Sequence, residues 1–309
     1  MFRPPAIYGQ EMLEEHSVDH YLADPDVRDA GARGDGLLFH YTSAESLKAI
    51  LVSGNIRLNT MDRMNDPRER KDWVARDLVV PEGTLDWSML AEQGAVADEP
   101  NRLLRLGARI ACFTKEREPF PGADPDALFH RGWARARMWH QYAAKHTGAC
   151  LVFDMTKLVT TVDSARKYVD GDVFSTNSVL YTDKPLRLPL SGAFTNVAAI
   201  QSALDDLTSD GKQIADLFFT KNTDWQSEDE VRILVLLWDP AGTIAPEPLH
   251  LPYGDSLKAI VLGENFGDPA WFRPVVADLG LSENDVLRAD WVDGAPTLKP
   301  YIEEWVPLI

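Results

Sequence analysis

Glu230-Val231-Arg232-Ile233-Leu234-Val235-Leu236-Leu237 is the strongest strand signal in the chain. A run this apolar, with no alternation after Arg232, predicts a strand covered on both faces and placed centrally in a sheet. Working outward, Leu257-Lys258-Ala259-Ile260-Val261-Leu262-Gly263 reads as the next strand, followed by a helix around Pro269–Leu279. Trp291-Val292 and Tyr301-Ile302 read as edge strands. On the N-terminal side, Leu37-Leu38-Phe39-His40-Tyr41 is a short strand that runs into Thr42-Ser43-Ala44-Glu45-Ser46, a helix start with its own capping hydroxyls. Leu47, Ile50 and Leu51 repeat at helical spacing, Gly54 supplies the C-terminal stop, and Ile56-Arg57-Leu58 begins another strand.

Between these segments, Met64-Asn65-Asp66-Pro67 reads as a turn into a charged helix over 68–80. Ile110–Thr114 and Ala149–Phe153 read as buried strands, Met138–Ala143 as a helix, and 194–219 as one long helix. Residues 1–36, rich in Pro, Gly and Asp, are expected to be a peripheral extension, and residues 37–309 a single domain with an irregular insert near 81–105. Helices and strands mix without regular alternation, which predicts an α+β fold, a mixed β-sheet core with flanking helices.

Composition narrows the function. Lys and Arg number 31 against 48 Asp and Glu, a formal net charge of −17. Such a surface opposes nonspecific DNA binding, which needs the opposite sign. Arg102, Arg105 and Arg109, or Arg131, Arg135 and Arg137, are the candidates for a local basic patch, with solvated helix faces as the plainer alternative. Cys112 and Cys150 sit in apolar runs, where buried thiols are the default, and neither has a second Cys or a His at metal-ligand spacing. No metal is expected on that ground. No run approaches the roughly 20 apolar residues of a membrane span, so no membrane partner and a cytoplasmic location are expected. No Gly-rich phosphate loop follows a strand, so a nucleotide would need another kind of site.

Three groups of residues are candidates for chemistry. His40-Tyr41-Thr42-Ser43 closes a strand at a helix N-terminus, where imidazole, hydroxyls and free N–H groups suit a phosphate-bearing ligand; a satisfied core His and a simple cap are the alternative. Glu228 and Glu230 alternate around Asp229, so in an extended chain both face one side. A carboxylate there would stabilise the oxocarbenium charge that develops when a glycosidic bond such as nicotinamide–ribose breaks. The alternative is a solvated acidic turn neutralised by Arg232 or Lys221. Asn65, Asp66 and Glu69 offer polar contacts or merely a capped helix, and Trp139, Tyr142 and Trp225 offer stacking surfaces or core.

Phe39–Ser43, Ile50-Leu51, Gly54–Leu58, Met64–Pro67, Glu69, Cys112–Thr114, Met138-Trp139, Tyr142-Ala143, His146, Gly148–Phe153, Lys221, Trp225, Glu228, Glu230–Ile233 and Ile260–Gly263 together resemble a bacterial family, domain of unknown function 2971. That family in turn resembles the ADP-ribosyltransferase superfamily. The resemblance implies a split mixed sheet and NAD as substrate, with an unknown acceptor that is protein, nucleic acid or small molecule. It also implies a toxin or defence role. His40 would hold NAD, Thr114 or Tyr142 would serve as the middle-strand residue, and Glu230 with Glu228 would form the late Glu-x-Glu pair. Two rivals stand beside it: a magnesium-dependent nuclease built on Glu228 and Glu230, and a non-catalytic ligand sensor.

Overall fold

The computed structural model describes residues 36–73, 87–117, 125–166, 173–186, 188, 190, 194, 196–209, 217–243, 245, 247–281 and 283–301. The strands are β1 (Leu37–Thr42), β2 (Asn55–Thr60), β3 (Ala108–Lys115), β4 (Ala149–Asp154), β5 (Val173–Ser178), β6 (Leu180–Tyr181), β7 (Thr220–Lys221), β8 (Glu230–Leu236), β9 (Leu249–Pro252), β10 (Leu257–Leu262), β11 (Val286–Val292) and β12 (Ala295–Pro300). The α-helices are α1 (Ala44–Ser53), α2 (Pro67–Arg70), α3 (Trp87–Pro100), α4 (Ala136–Gln141), α5 (Met155–Ala165), α6 (Val197–Ser209) and α7 (Phe272–Asp278). The class is mixed α+β. The extension expected over 1–36 lies outside the described residues except for its last position.

The chain falls into two compact units, one of residues 1–56, 113–164 and 252–309, the other of 57–112 and 165–251. In the first, strands run in the order β12-β11-β10-β4-β1 and then the end of β3. Every neighbouring pair is antiparallel except β10 with β11, so the sheet is mixed. Side chains alternate across a strand, and one face carries Leu37, Phe39 and Tyr41 of β1, Cys150 and Val152 of β4, Ala259 and Val261 of β10, and Leu287 and Ala289 of β11. Trp133, Met138 and Trp139 close over this face. The first helix follows the sequence closely: Ser43 caps α1 by accepting from the Ser46 amide, and Gly54 ends it in the left-handed region at φ 68°.

Gly148, read from sequence as a separator, has a steric reason to be glycine. A Cβ there would collide with the Thr42 carbonyl oxygen. Ahead of it, Ala144, Lys145 and His146 all have positive φ, of 48°, 56° and 68°. The His146 ring is thereby laid parallel to Trp139, with centroids 6.0 Å apart, and edge-on to Trp291.

In the second unit, β8 lies between β3 and β5, the central position its sequence predicts. All seven of its residues are buried. Leu234 and Leu236 join Ile110, Leu103, Leu104, Ile200, Leu204 and Phe218 in the core of this unit. Three expectations are corrected. The insert near 81–105 is not irregular throughout, because α3 spans Trp87–Pro100 and a π-helical turn follows at Asn101–Arg105. Its buried Val96, Leu103 and Leu104 supply the apolar stripe that its Glu, Asp, Gly and Pro content obscures. The helix expected from 68 ends at Arg70, where Lys71 adopts extended φ/ψ. The long helix expected over 194–219 begins at Val197 and is helical through Ser209 and again at 217–218, with 210–216 outside the described residues, and Phe219 leads directly into β7.

Arg105, Arg109 and Arg135 are neither a basic patch nor a solvated face, since all three are buried. Arg109 donates to the carbonyl oxygens of Glu247, Leu106, Ala108 and Ala245, stapling loop to strand. Among the described residues, no helix is long and apolar enough to cross a membrane.

Candidate functional site

The second unit gathers a buried charged cluster at the mouth of β8. Lys221, on β7, places its Nζ 2.8 Å from Glu228 Oε2 and 2.7 Å from Glu230 Oε2. Arg232 places its Nε 2.8 Å from Glu230 Oε1, and its Nη2 pairs with Glu69 Oε1. Arg232 Nη1 donates to the Phe218 carbonyl oxygen. Every one of these side chains is at most 6% exposed. The Cys112 thiol donates to Glu230. The Glu230 amide donates to the Tyr181 hydroxyl at 2.8 Å, and Trp225 lies under Lys221 Nζ at 5.1 Å.

Local backbone explains the convergence of Glu228 and Glu230. Glu228 and Glu230 do not lie on one extended stretch, because Thr223–Glu228 is a 3-10 turn capped by Asn222 and Asp229 adopts φ 42°. This left-handed residue reverses the chain between the two glutamates, so both meet Lys221. Val179 then accepts strand-like continuity by donating its amide to the Glu230 carbonyl. The acidic run is therefore neutralised by Lys221 and Arg232, as one sequence alternative has it, but the carboxylates are buried and not solvated.

Burial alone would raise the Glu230 carboxyl, yet Arg232 and Lys221 outweigh it and hold the group down at about 2. Burial opposes the charge of Arg232, and Glu230 and Glu69 more than restore it. Lys221 is held above its ordinary value in the same way, mainly by Glu230. Glu69 goes the other way: burial pushes it up, and Arg232 and Lys221 recover only part. Its Oε2 is buried with no hydrogen-bond partner among the described residues. Three carboxylates, Glu69, Glu228 and Glu230, thus face two cations, Lys221 and Arg232, and the surplus falls on Glu69.

Of the residues singled out from sequence, this cluster brings together Glu228, Glu230 and Trp225. Asn65 is exposed at the start of the Glu69 segment. Asp66 is buried, and its Oδ1 caps α2 by accepting from the Arg68 amide. His40, Tyr41, Thr42, Ser43, Thr114, Trp139 and Tyr142 belong to the other unit. There, His40 and Tyr41 project to opposite faces of the sheet. His40 packs its ring 5.5 Å from Phe113. Tyr41 donates its hydroxyl to the Gly132 carbonyl at 2.6 Å, and Ser43 is occupied as the helix cap. Trp139 is fully buried and donates to the Trp133 carbonyl. Thr114 is buried in register with Phe39, and Tyr142 is half-buried.

Glu69 is the residue that sequence reasoning undervalued. An acid three positions after an Asp-Pro helix start reads as a local capping feature, and only the long-range ion pair reveals its place.

The chemistry follows from this arrangement. Lys221 Nζ stands where a divalent ion bridging Glu228 and Glu230 would have to stand, which weakens the magnesium reading. No group of three or more metal-ligating His, Cys, Asp or Glu occurs among the described residues. What the cluster offers is fixed carboxylate charge in a low-dielectric setting, where it acts strongly on any cation brought beside it.

Residues 138–233 match the model of a family described as protein of unknown function (DUF2971). Over this segment the chain is similar to that family. The match takes in β4 and β5, the end of α4 and the start of β8, with Lys221, Trp225, Glu228, Glu230 and Arg232; Glu69 and His40 fall outside it. Comparison with curated proteins gave no match, and neither did comparison with solved structures.

Proposed function

We propose that this protein is an NAD-consuming enzyme of ADP-ribosyltransferase type. It breaks the nicotinamide–ribose bond and passes ADP-ribose to an acceptor or to water. One observation carries the reading: the buried cluster at β8 holds one more carboxylate than cation. With all three carboxyls ionised, such a site carries a net negative charge that favours a pyridinium ribose, and favours still more the oxocarbenium into which it breaks. The late glutamate pair, and the order β1, His40, α1, Gly54, β2, agree with the split-sheet arrangement of that superfamily. Glu230 is then the residue that stabilises the oxocarbenium.

NAD labelled separately in its nicotinamide and adenylate halves tests this. The expected result is free nicotinamide, with adenylate label either on a macromolecule or released as ADP-ribose. Absence of turnover together with absence of NAD binding by calorimetry overturns it.

A second reading has its own observation. Glu230 is held on both sides by Lys221 and Arg232, as in a structural ion clamp. On that reading the protein is a ligand-binding or scaffold module, and Glu230→Gln lowers stability without changing any NAD chemistry.

A further inference from the structure

We propose that Glu69 is the proton-carrying carboxyl of this cluster: neutral at rest, it gives up its proton when the pyridinium of an NAD-class nucleotide enters, and then takes a proton from the acceptor. The proposal rests on the NAD-consuming reading for its ligand, and on the geometry of the cluster for the resting proton.

The geometry assigns the two cations unequally. Glu230 takes Lys221 Nζ at 2.7 Å and Arg232 Nε at 2.8 Å, and Glu228 takes the same Lys221 Nζ at 2.8 Å. Among the described residues, Glu69 has only Arg232 Nη2, on one oxygen. Its other oxygen is buried without a partner among the described residues, in a side chain 3% exposed. An ionised oxygen stranded this way costs several times what a neutral one costs. The charged and titratable groups that face Glu69 are Arg232 and Glu230 from β8 and Lys221 from β7, with Cys112 of β3 lying behind Glu230. Two carboxyls flanking one guanidinium, one driven up by burial and the other held down by cations, is the pattern that separates acid from base in a shared site.

Glu69 cannot relieve this by swinging to water, because its segment is anchored on three sides. Arg105 donates to the Glu69 and Arg70 carbonyl oxygens. Arg68 donates to the Thr182 and Lys184 carbonyls at 2.7 Å each. The Asn101 side chain exchanges two hydrogen bonds with the Trp73 backbone. Such support around a partly unsatisfied carboxyl is what a preorganised acid–base group requires.

The step balances. An arriving pyridinium lowers the affinity of Glu69 for its proton, which leaves to solvent. The C–N bond to ribose breaks with its electron pair passing to the ring nitrogen, so nicotinamide departs neutral. A lone pair on the acceptor oxygen or nitrogen bonds to the anomeric carbon, and the acceptor's proton returns to Glu69.

Two measurements decide it. NAD is titrated calorimetrically into the wild-type protein at one neutral pH in two buffers of different ionisation enthalpy. The expected result is release of a proton, approaching one per NAD bound. In Glu69→Gln the release is lost and NAD binds more weakly, because the charge that answers the pyridinium is gone. Unchanged heats in the two buffers, or the same release from Glu69→Gln, overturn the proposal. The second measurement needs no NAD: melting of wild type and Glu69→Gln from mildly acid to alkaline pH. A folded-state pKa above the ordinary 4.5 means that the Glu69 contribution is full below that value and is lost as pH rises through the folded one. Glu69→Gln should therefore gain on the wild type as pH rises. A uniform loss of Tm in Glu69→Gln at every pH, matching that of Glu230→Gln, would show an ionised resting Glu69 and overturn the proposal. If NAD gives no heat at all, the enzymatic reading falls, and the melting comparison still decides the proton.

Discussion

Arg232 Nε lies 2.8 Å from Glu230 Oε1, two residues back along the same strand, and the guanidinium is almost wholly buried at 1% exposure. The i, i+2 spacing puts both side chains on one face of β8. The same guanidinium reaches Glu69 and the Phe218 carbonyl, so one side chain ties three segments together.

Removing that guanidinium leaves buried carboxylates without a partner. Arg232→Met is expected to cost about 3–5 kcal/mol, measured by urea unfolding. Adding Glu69→Gln to it should return part of the loss, because the two sites are coupled. A cost under about 1 kcal/mol for Arg232→Met, the range of an exposed ion pair, would contradict the burial of the cluster.

Acid should act through Glu230. Its folded value of about 2 lies below the ordinary 4.5, so its contribution is present above 4.5 and is lost as pH falls toward 2. Glu230→Gln is expected to be less stable than wild type at neutral pH, with the gap closing as pH falls through that window. Parallel acid-unfolding curves for the two proteins would refute this.

Glu116 should act with the opposite sign. Burial raises it to about 7, although the Gly132 amide donates to its Oε2 at 2.9 Å, and its Oε1 is buried without a partner among the described residues. Its contribution is full below 4.5 and is lost as pH climbs through 7. Glu116→Gln should flatten the stability decline over that window by at most about 3 kcal/mol. An unchanged slope in Glu116→Gln is the contrary outcome.

Ala144 is exposed and sits at φ 48°. Left-handed backbone costs an L-residue roughly 1–2 kcal/mol that glycine does not pay. Ala144→Gly is expected to stabilise the protein by about 1 kcal/mol, against the usual direction of that exchange. A lower Tm would show that the turn before His146 carries no such strain.

The parts of this fold legible in the sequence are those fixed by local chemistry. β8 announces itself by an unbroken apolar run, and α1 by Ser43 at one end and Gly54 at the other. Hidden features depend on partners far along the chain. Nothing near Asp229 signals a left-handed residue, although it decides how Glu228 and Glu230 converge. Arg105 and Arg109 look like surface charge until the carbonyl oxygens that bind them are in place. Glu69 looks like part of a helix cap until Arg232 is folded against it.

The most direct test of an NAD-consuming carboxylate cluster is nicotinamide release from NAD by the wild-type protein beside Glu230→Gln, with both shown to be folded by circular dichroism. Release by the wild type, reduced at least about a hundredfold in Glu230→Gln, a loss of roughly 3 kcal/mol of transition-state stabilisation, is the expected result. Equal release by the two proteins, or none from a wild type that also fails to bind NAD, would contradict the account.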